Sequence, residues 1–239
     1  MDNAPVAPRR TLLRMITLGG LVTATGAVTS ACGKGEGKAS AATSDSPAGA
    51  GGSGSGADMI MIIRHGEKPK ENGKKPPFGI TEDGERSDYS LLVRGWQRAG
   101  ALVTLFAPEG GTPRKGLRRP AAVYAAGPHP GAKGLRPSET VAPVSAKLGV
   151  RTNLTYRTGD EAALAKELAG RHGCTLVSWE HHAITDIVKG LGGEVRPSPP
   201  SAWPDSRFDL VWVLVRSGGG WTFTQVPQLL LDGDSPDPA

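Results

Sequence analysis

Cysteine is nearly missing: the 239-residue chain has two, Cys32 and Cys174. Two isolated thiols give neither a disulfide framework nor the paired spacing of a zinc site. Aromatic residues are few, at 5%, and none falls in the stacking motif of an RNA-binding sheet. No apolar run reaches the roughly 20 residues that a membrane-spanning helix needs. There is no dense Lys/Arg run. The formal net charge is +5, and residues 1–32, where Arg9, Arg10 and Arg14 stand against Asp2, hold +2 of it. The remaining +3 is too small to indicate nucleic acid and suits a small anionic substrate at least as well. No internal repeat is visible.

What is present is an ordinary soluble composition, 38% hydrophobic and 21% charged, with Gly and Pro concentrated in the N-terminal part and in loops. Residues 58–239 are long enough for one domain with one sizeable core. Cys174 opens the short apolar run Cys174–Val177, which predicts a buried thiol.

The first 57 residues read differently. Pro8-Arg9-Arg10-Thr11-Leu12-Leu13-Arg14 resembles a twin-arginine export motif. A weakly apolar stretch, 15–31, follows and ends in Val28-Thr29-Ser30-Ala31-Cys32-Gly33. Small residues before a cysteine resemble a bacterial lipobox, which implies lipidation at Cys32. The alternative is a plain N-terminal anchor or an uncleaved leader. Residues 33–57 are Gly, Ser and Ala with a few charges, the composition of a flexible tether. Together these segments predict an extracytoplasmic domain held to the cell membrane by a lipid.

In the body, Met59-Ile60-Met61-Ile62-Ile63 is a continuous apolar run, as expected of a strand buried on both faces. A long polar segment leads to about Tyr89, and a helix is predicted from about Leu92 to Phe106. Further strands are predicted at 121–125, 154–156, 175–179, 209–216 and 221–226. Helices are predicted from Pro137 to Leu148, from Glu161 to Ala169 with Asp160 as cap, and from Ile184 to Leu191. Strands alternating with helices predict a three-layer α/β sandwich: a mostly parallel central sheet with helices on both faces and a C-terminal antiparallel hairpin at its edge, turned at Gly218-Gly219-Gly220.

Sites in such sheets form outside the carboxyl ends of the strands. His65 follows the first strand within Arg64-His65-Gly66, and His181 follows the strand 175–179, so both project onto one rim. Arg136 stands just before a helix start, where free N–H groups favour an anion. Two histidines and two arginines on one rim suit phosphoryl transfer. A neutral imidazole is a competent nucleophile, and guanidiniums bind non-bridging oxygens in pairs of hydrogen bonds.

Arg64-His65-Gly66 after an apolar strand resembles the signature of the histidine phosphatase (phosphoglycerate-mutase-like) superfamily. Arg94-Gly95-Trp96-Gln97-Arg98-Ala99 resembles its Gly-x-x-x-Ala helix start. Arg136-Pro137-Ser138-Glu139-Thr140 resembles its second arginine motif, and Val177-Ser178-Trp179-Glu180-His181 the strand leading to its second histidine. The resemblance implies that His65 attacks phosphorus, that Arg64, Arg136 and His181 hold the transferring group, and that Gly66 contributes to substrate binding. An acid then protonates the leaving oxygen, and no metal or other cofactor is required. His182 stands where one branch of the family carries an acidic proton donor. His182 and Glu82 are therefore candidates for that role, with Asp83, Glu85 and Glu180 as rivals.

The expected partner is a small phosphorylated substrate, with the membrane met through the lipid and no nucleic acid. Two other readings stay open: a phosphoglycerate-type mutase, whose usual substrates are cytosolic, and a phosphate-binding lipoprotein without turnover. Lys68, Lys70, Lys74 and Lys75 are expected in a solvated loop, with steering of phosphate as the alternative, and the basic residues at 114, 115, 118 and 119 are expected in a solvated loop. His129 is expected in a loop and His172 at a helix end. Trp203 is expected either to line a rim or to pack.

Overall fold

A computed structural model describes residues 58–70, 75–128 and 134–239. The arginine pair, Cys32, the tether, Lys74 and His129 lie outside the described residues. No helix among those described is long and apolar enough to cross a membrane.

The chain runs β1 (Met59–Arg64), α1 (Val93–Phe106), β2 (Ala122–Ala125), α2 (Arg136–Leu148), α3 (Glu161–Gly170), β3 (Cys174–Trp179), α4 (His181–Gly190), β4 (Val195–Arg196), β5 (Leu210–Ser217) and β6 (Gly220–Pro227). The strands form one sheet in the order β2-β3-β1-β5-β6-β4. The pairs β2–β3, β3–β1 and β6–β4 are parallel, and β1–β5 and β5–β6 antiparallel.

β1 is buried along its whole length, and its alternating side chains serve two cores. Ile60 and Ile62 pack with Leu164 and Leu168 of α3 and with Ile184 and Ile187 of α4. Met59, Met61 and Ile63 pack with Leu102 and Phe106 of α1 and with Val141 and Val144 of α2. Helices therefore cover both faces, as the three-layer α/β expectation required. Cys174 is a free, buried thiol, and burial pushes it up to about 11.

Four details differ from the sequence reading. The hairpin β5–β6 is not an edge: β5 pairs directly with β1 and the edge belongs to β4, too short at two residues to carry a period. Residues 154–156 form no strand. Asn153 makes a single bridge to Tyr124, and Tyr156 O accepts from Gly127 N at 2.8 Å, so this segment runs beside β2 as coil. Asp160 precedes α3 without capping it, its carboxylate accepting instead from Arg157 N at 3.0 Å. α4 begins at His181, three residues before its first apolar side chain at Ile184, because His181 is itself buried there.

Direction in the sheet decides what meets at the rim. Ile62 of β1 pairs with Trp212 of β5, and Leu210 with Pro227 of β6. The carboxyl end of β1 therefore lies beside the start of β5 and the end of β6. The segment entering β5 and the segment leaving β6 both reach the rim where β1 delivers His65.

Candidate active site

The turn after β1 is fixed by backbone. His65 N–H extends the parallel ladder to Trp179 O at 3.1 Å, and Gly66 N–H donates to Thr140 Oγ1 of α2 at 2.8 Å. Gly66 thus directs its N–H to α2. A Cβ there would come within 3.1 Å of Gly95 Cα and O, and a Cβ on Gly95 within 2.7 Å of Glu67 O. Two glycines let α1 lie against the turn, which gives Arg94-Gly95-Trp96 a steric reason.

His65 is 1% exposed. Its Nδ1 lies 2.7 Å from Gly66 O, an acceptor, so Nδ1 carries the proton and Nε2 the lone pair. Nε2 is buried with no hydrogen-bond partner. Burial lowers the imidazole to about 3, opposed by the bond to Gly66 and reinforced by Arg64, Arg136 and Lys68. The ring is neutral throughout the physiological range, the state a nitrogen nucleophile needs.

Arg64, 2% exposed, lies with its guanidinium carbon 3.8 Å from the centre of the Phe208 ring. Its Nη1 donates to Asp205 O at 2.5 Å and to Arg207 O at 3.3 Å, and its Nε is buried without a partner. Burial brings it down to about 10, so it remains charged at neutral pH. Arg136 occupies the first turn of α2 and donates to Ser90 O at 3.3 Å and to Asp88 O. Burial lowers it as well, with Glu180, Glu139 and Asp88 opposing.

His181 is 3% exposed at the start of α4. Its Nε2 lies 2.9 Å from Asp205 Oδ1, and its Nδ1 is buried without a partner. Burial lowers it to about 4, with Arg64, His182 and Lys68 adding to the effect and Asp205 opposing it. The exposed His182 ring lies 3.7 Å from the His181 ring, centre to centre.

A cavity of about 820 Å³ opens at this rim. Arg64, Arg136, Lys68 and Asp205 give it polar groups, and Pro69, Pro76, Pro77, Leu92 and Phe208 its apolar wall. Neither His65 nor His181 lines this cavity; the His65 ring lies behind its wall, 6.4 Å from the Phe208 ring. Lys68 and Lys70 line the cavity; Lys68 is half-buried and lowered by that burial, so the solvated-loop expectation does not hold for it. Three buried polar atoms, on Arg64, His65 and His181, lack partners at one site, which is uncommon in native proteins and suits a polar ligand.

The other candidates take different places. Glu82 is exposed on the turn 81–84 and does not line the cavity. Asp83 and Glu85 are likewise exposed. Glu180 precedes α4 without a side-chain cap bond, near enough to act on Arg64, Lys68 and Arg136. His172 is exposed and pairs with Asp58 at 3.1 Å. Trp203 packs on Trp212 and donates to Arg207 O at 2.8 Å, so its role is packing.

Sequence reasoning missed Asp205, Phe208 and a buried ion network. Glu67, next to the signature, accepts from Arg98 Nη2 at 2.8 Å, and Arg98 donates in turn to Asp234 at 2.8 Å and to Gln228 at 3.0 Å. Arg98 is held well above its ordinary range by Asp234 and Glu67, against the cost of burial. The charged residue on the apolar face of α1 was the signal that could have revealed it.

No family model and no curated protein sequence matches the chain. Among solved structures it is similar to the protein histidine phosphatase SixA complexed with tungstate, at 13% identity and a TM-score of 0.45 over 71% of this chain and 97% of that one. It is also similar to a candidate phosphohistidine phosphatase SixA from Nakamurella multipartitia, at 19% identity and a TM-score of 0.39 over 71% and 94%.

Proposed function

We infer that the chain is a phosphoric monoester hydrolase that works through a phosphohistidine on His65. The observation that carries this reading is the state of His65: buried, neutral, its Nδ1 proton held by Gly66 O and its Nε2 lone pair unpartnered among Arg64, Arg136 and Lys68.

The His65 lone pair attacks phosphorus while Arg64 and Arg136 bind the non-bridging oxygens. The bond to the leaving oxygen breaks, and that oxygen takes up a proton. Water then attacks the phosphohistidine, returning the electron pair to Nε2 and releasing phosphate. His181 assists by donating to a phosphoryl oxygen. The apolar wall of the cavity accommodates the organic part of the ester.

The test is phosphate release from a generic aryl phosphate and from phosphorylated sugars. Release that depends on His65 is expected; wild-type release no greater than that of His65→Ala would sink the reading. Transfer to a second hydroxyl without release would point to a mutase, and a trapped phosphohistidine with neither to a stalled enzyme.

Residues 1–32 are assigned to export and Cys32 to lipidation, which puts the catalytic body outside the cytoplasm on the tether 33–57. The order of arginine pair, apolar run and cysteine supports this. Metabolic labelling with a fatty-acid analogue should mark the wild type and leave Cys32→Ala unmarked; equal labelling of both would remove the anchor.

A further inference from the structure

The proton for the leaving oxygen has no assigned source, and the carboxylates near the cavity differ in what already engages them. Glu67 lines the cavity, but Arg98 at 2.8 Å and Arg94 at 3.2 Å take up its lone pairs. Glu139 accepts from Leu91 N at 3.0 Å. Glu180 is half-buried and does not line the cavity. Asp205 does line it, with its side chain 82% exposed.

Asp205 also touches two groups of the phosphoryl site at once. Its main-chain oxygen accepts from Arg64 Nη1 at 2.5 Å, and its Oδ1 lies 2.9 Å from His181 Nε2. Phosphoryl oxygens entering the site compete for the same donors. An exposed side chain gives way by rotation, and the carboxyl group then lies beside the oxygens that displaced it.

We propose that Asp205 is the catalytic acid of this site; the proposal rests on the phosphatase reading. As His65 Nε2 bonds to phosphorus, the Asp205 carboxyl gives its proton to the bridging oxygen, and the leaving group departs as a neutral alcohol. The resulting carboxylate takes a proton from the water whose oxygen attacks phosphorus. The P–N bond breaks with its electron pair returning to His65, phosphate leaves, and Asp205 is protonated for the next cycle.

Asp205, His181 and His182 also bring three metal-ligand atoms within 4.8 Å of one another. The surrounding charge argues against a cation there. Arg64 and Lys68 both act on His181, and the free N–H end of α4 adds positive potential. That field disfavours a dication.

Leaving-group dependence is the test. Rates on p-nitrophenyl phosphate, whose leaving group needs little protonation, are compared with rates on glycerol phosphate, whose alkoxide needs it. Asp205→Asn is expected to lower kcat on glycerol phosphate by about 10²–10⁴-fold and on the aryl ester by less than about tenfold, with Asp205→Glu recovering part of the former. Equal losses on both substrates would reduce Asp205 to positioning His181 and Arg64, and would overturn the proposal. So would no loss on either, or the selective loss appearing in His182→Ala, Glu82→Gln or Glu180→Gln instead. If His65-dependent release persists while Asp205→Asn acts uniformly, the proposal alone fails; if wild type releases no more than His65→Ala, the phosphatase reading fails with it. The substitution is isosteric and exposed, and keeps the main-chain bond to Arg64. A thermal melt matching wild type is expected.

Discussion

The two halves of the sheet build the same rim in opposite ways. In the parallel half, β2, β3 and β1 run the same way, and the rim residues are those that follow a strand: Arg64-His65 after β1 and His181 after β3. In the antiparallel half, β5 runs the other way, so what reaches the rim is the segment before it, with Asp205 and Phe208. The parallel half supplies the nucleophile and a histidine. The antiparallel half supplies a carboxyl group, an aromatic wall and, beyond β6, the Asp234 that completes the buried ion network. Strand direction thus decides whether a rim residue is found by reading forward from a strand or backward from one.

The sharpest way to break this division is at the nucleophile. His65→Ala should lower single-turnover phosphate release by about 10⁴-fold or more while Phe208 and Asp205 stay in place. Apart from Asp205, whose loss an alkyl ester should feel selectively, substitution in the antiparallel half should modulate turnover without abolishing it; comparable loss from Phe208→Ala would erase the distinction.

The ion network joins the halves, so its removal should cost stability rather than chemistry. Arg98→Ala leaves the buried Asp234 carboxylate without an ion partner and Glu67 with Arg94 alone, and should destabilise the fold by about 3–5 kcal/mol in denaturant unfolding. A change within about 0.5 kcal/mol would mean that the network adds nothing.

The next effect follows from proton linkage. His65 has a folded value of about 3 against an ordinary 6.5. Between these values the unfolded chain binds the proton and the folded one does not, so stability rises with pH. It is complete above about 6.5 and is lost as pH falls toward about 3, at up to about 1.4 kcal/mol per unit. Unfolding measured from pH 7 to 4 should show a shallower acid loss in His65→Asn than in wild type. Parallel curves would place the sensitivity elsewhere.

The smallest expected effect is at the aromatic wall. Phe208→Leu removes the ring under Arg64 and keeps an apolar surface, so KM for an aryl phosphate should rise a few-fold, in line with about 1 kcal/mol for a cation–π contact. An unchanged KM would detach Phe208 from the site.

Much of the layered fold was legible because β1 carries an unbroken apolar run over Met59–Ile63, β3 is mostly apolar and the helices between strands carry a face. Arg64, His65, Arg136 and His181 were legible as residues next to those elements. Asp205 was not: it sits in a Pro- and Ser-rich stretch without periodicity, and its bond to His181 exists only because β5 turns back along β1. The pairing of Arg98 with Glu67 and Asp234 was hidden for a related reason. An arginine on an apolar helix face announces a partner but does not say which distant segment brings it.

The contact between Gly66 and Gly95 has a consequence for how such a site can change. Main chain meets main chain there, with no side chain between. The coordinates of the nucleophile are therefore set largely by main-chain atoms, with Thr140 Oγ1 as the side-chain hold on Gly66 N–H. The lining at the mouth, with Pro69, Lys70, Pro76 and Pro77, can be redesigned for a new ester while the reacting nitrogen stays where it is. Substrate range is the adjustable part of this molecule, and the point of attack is its constant.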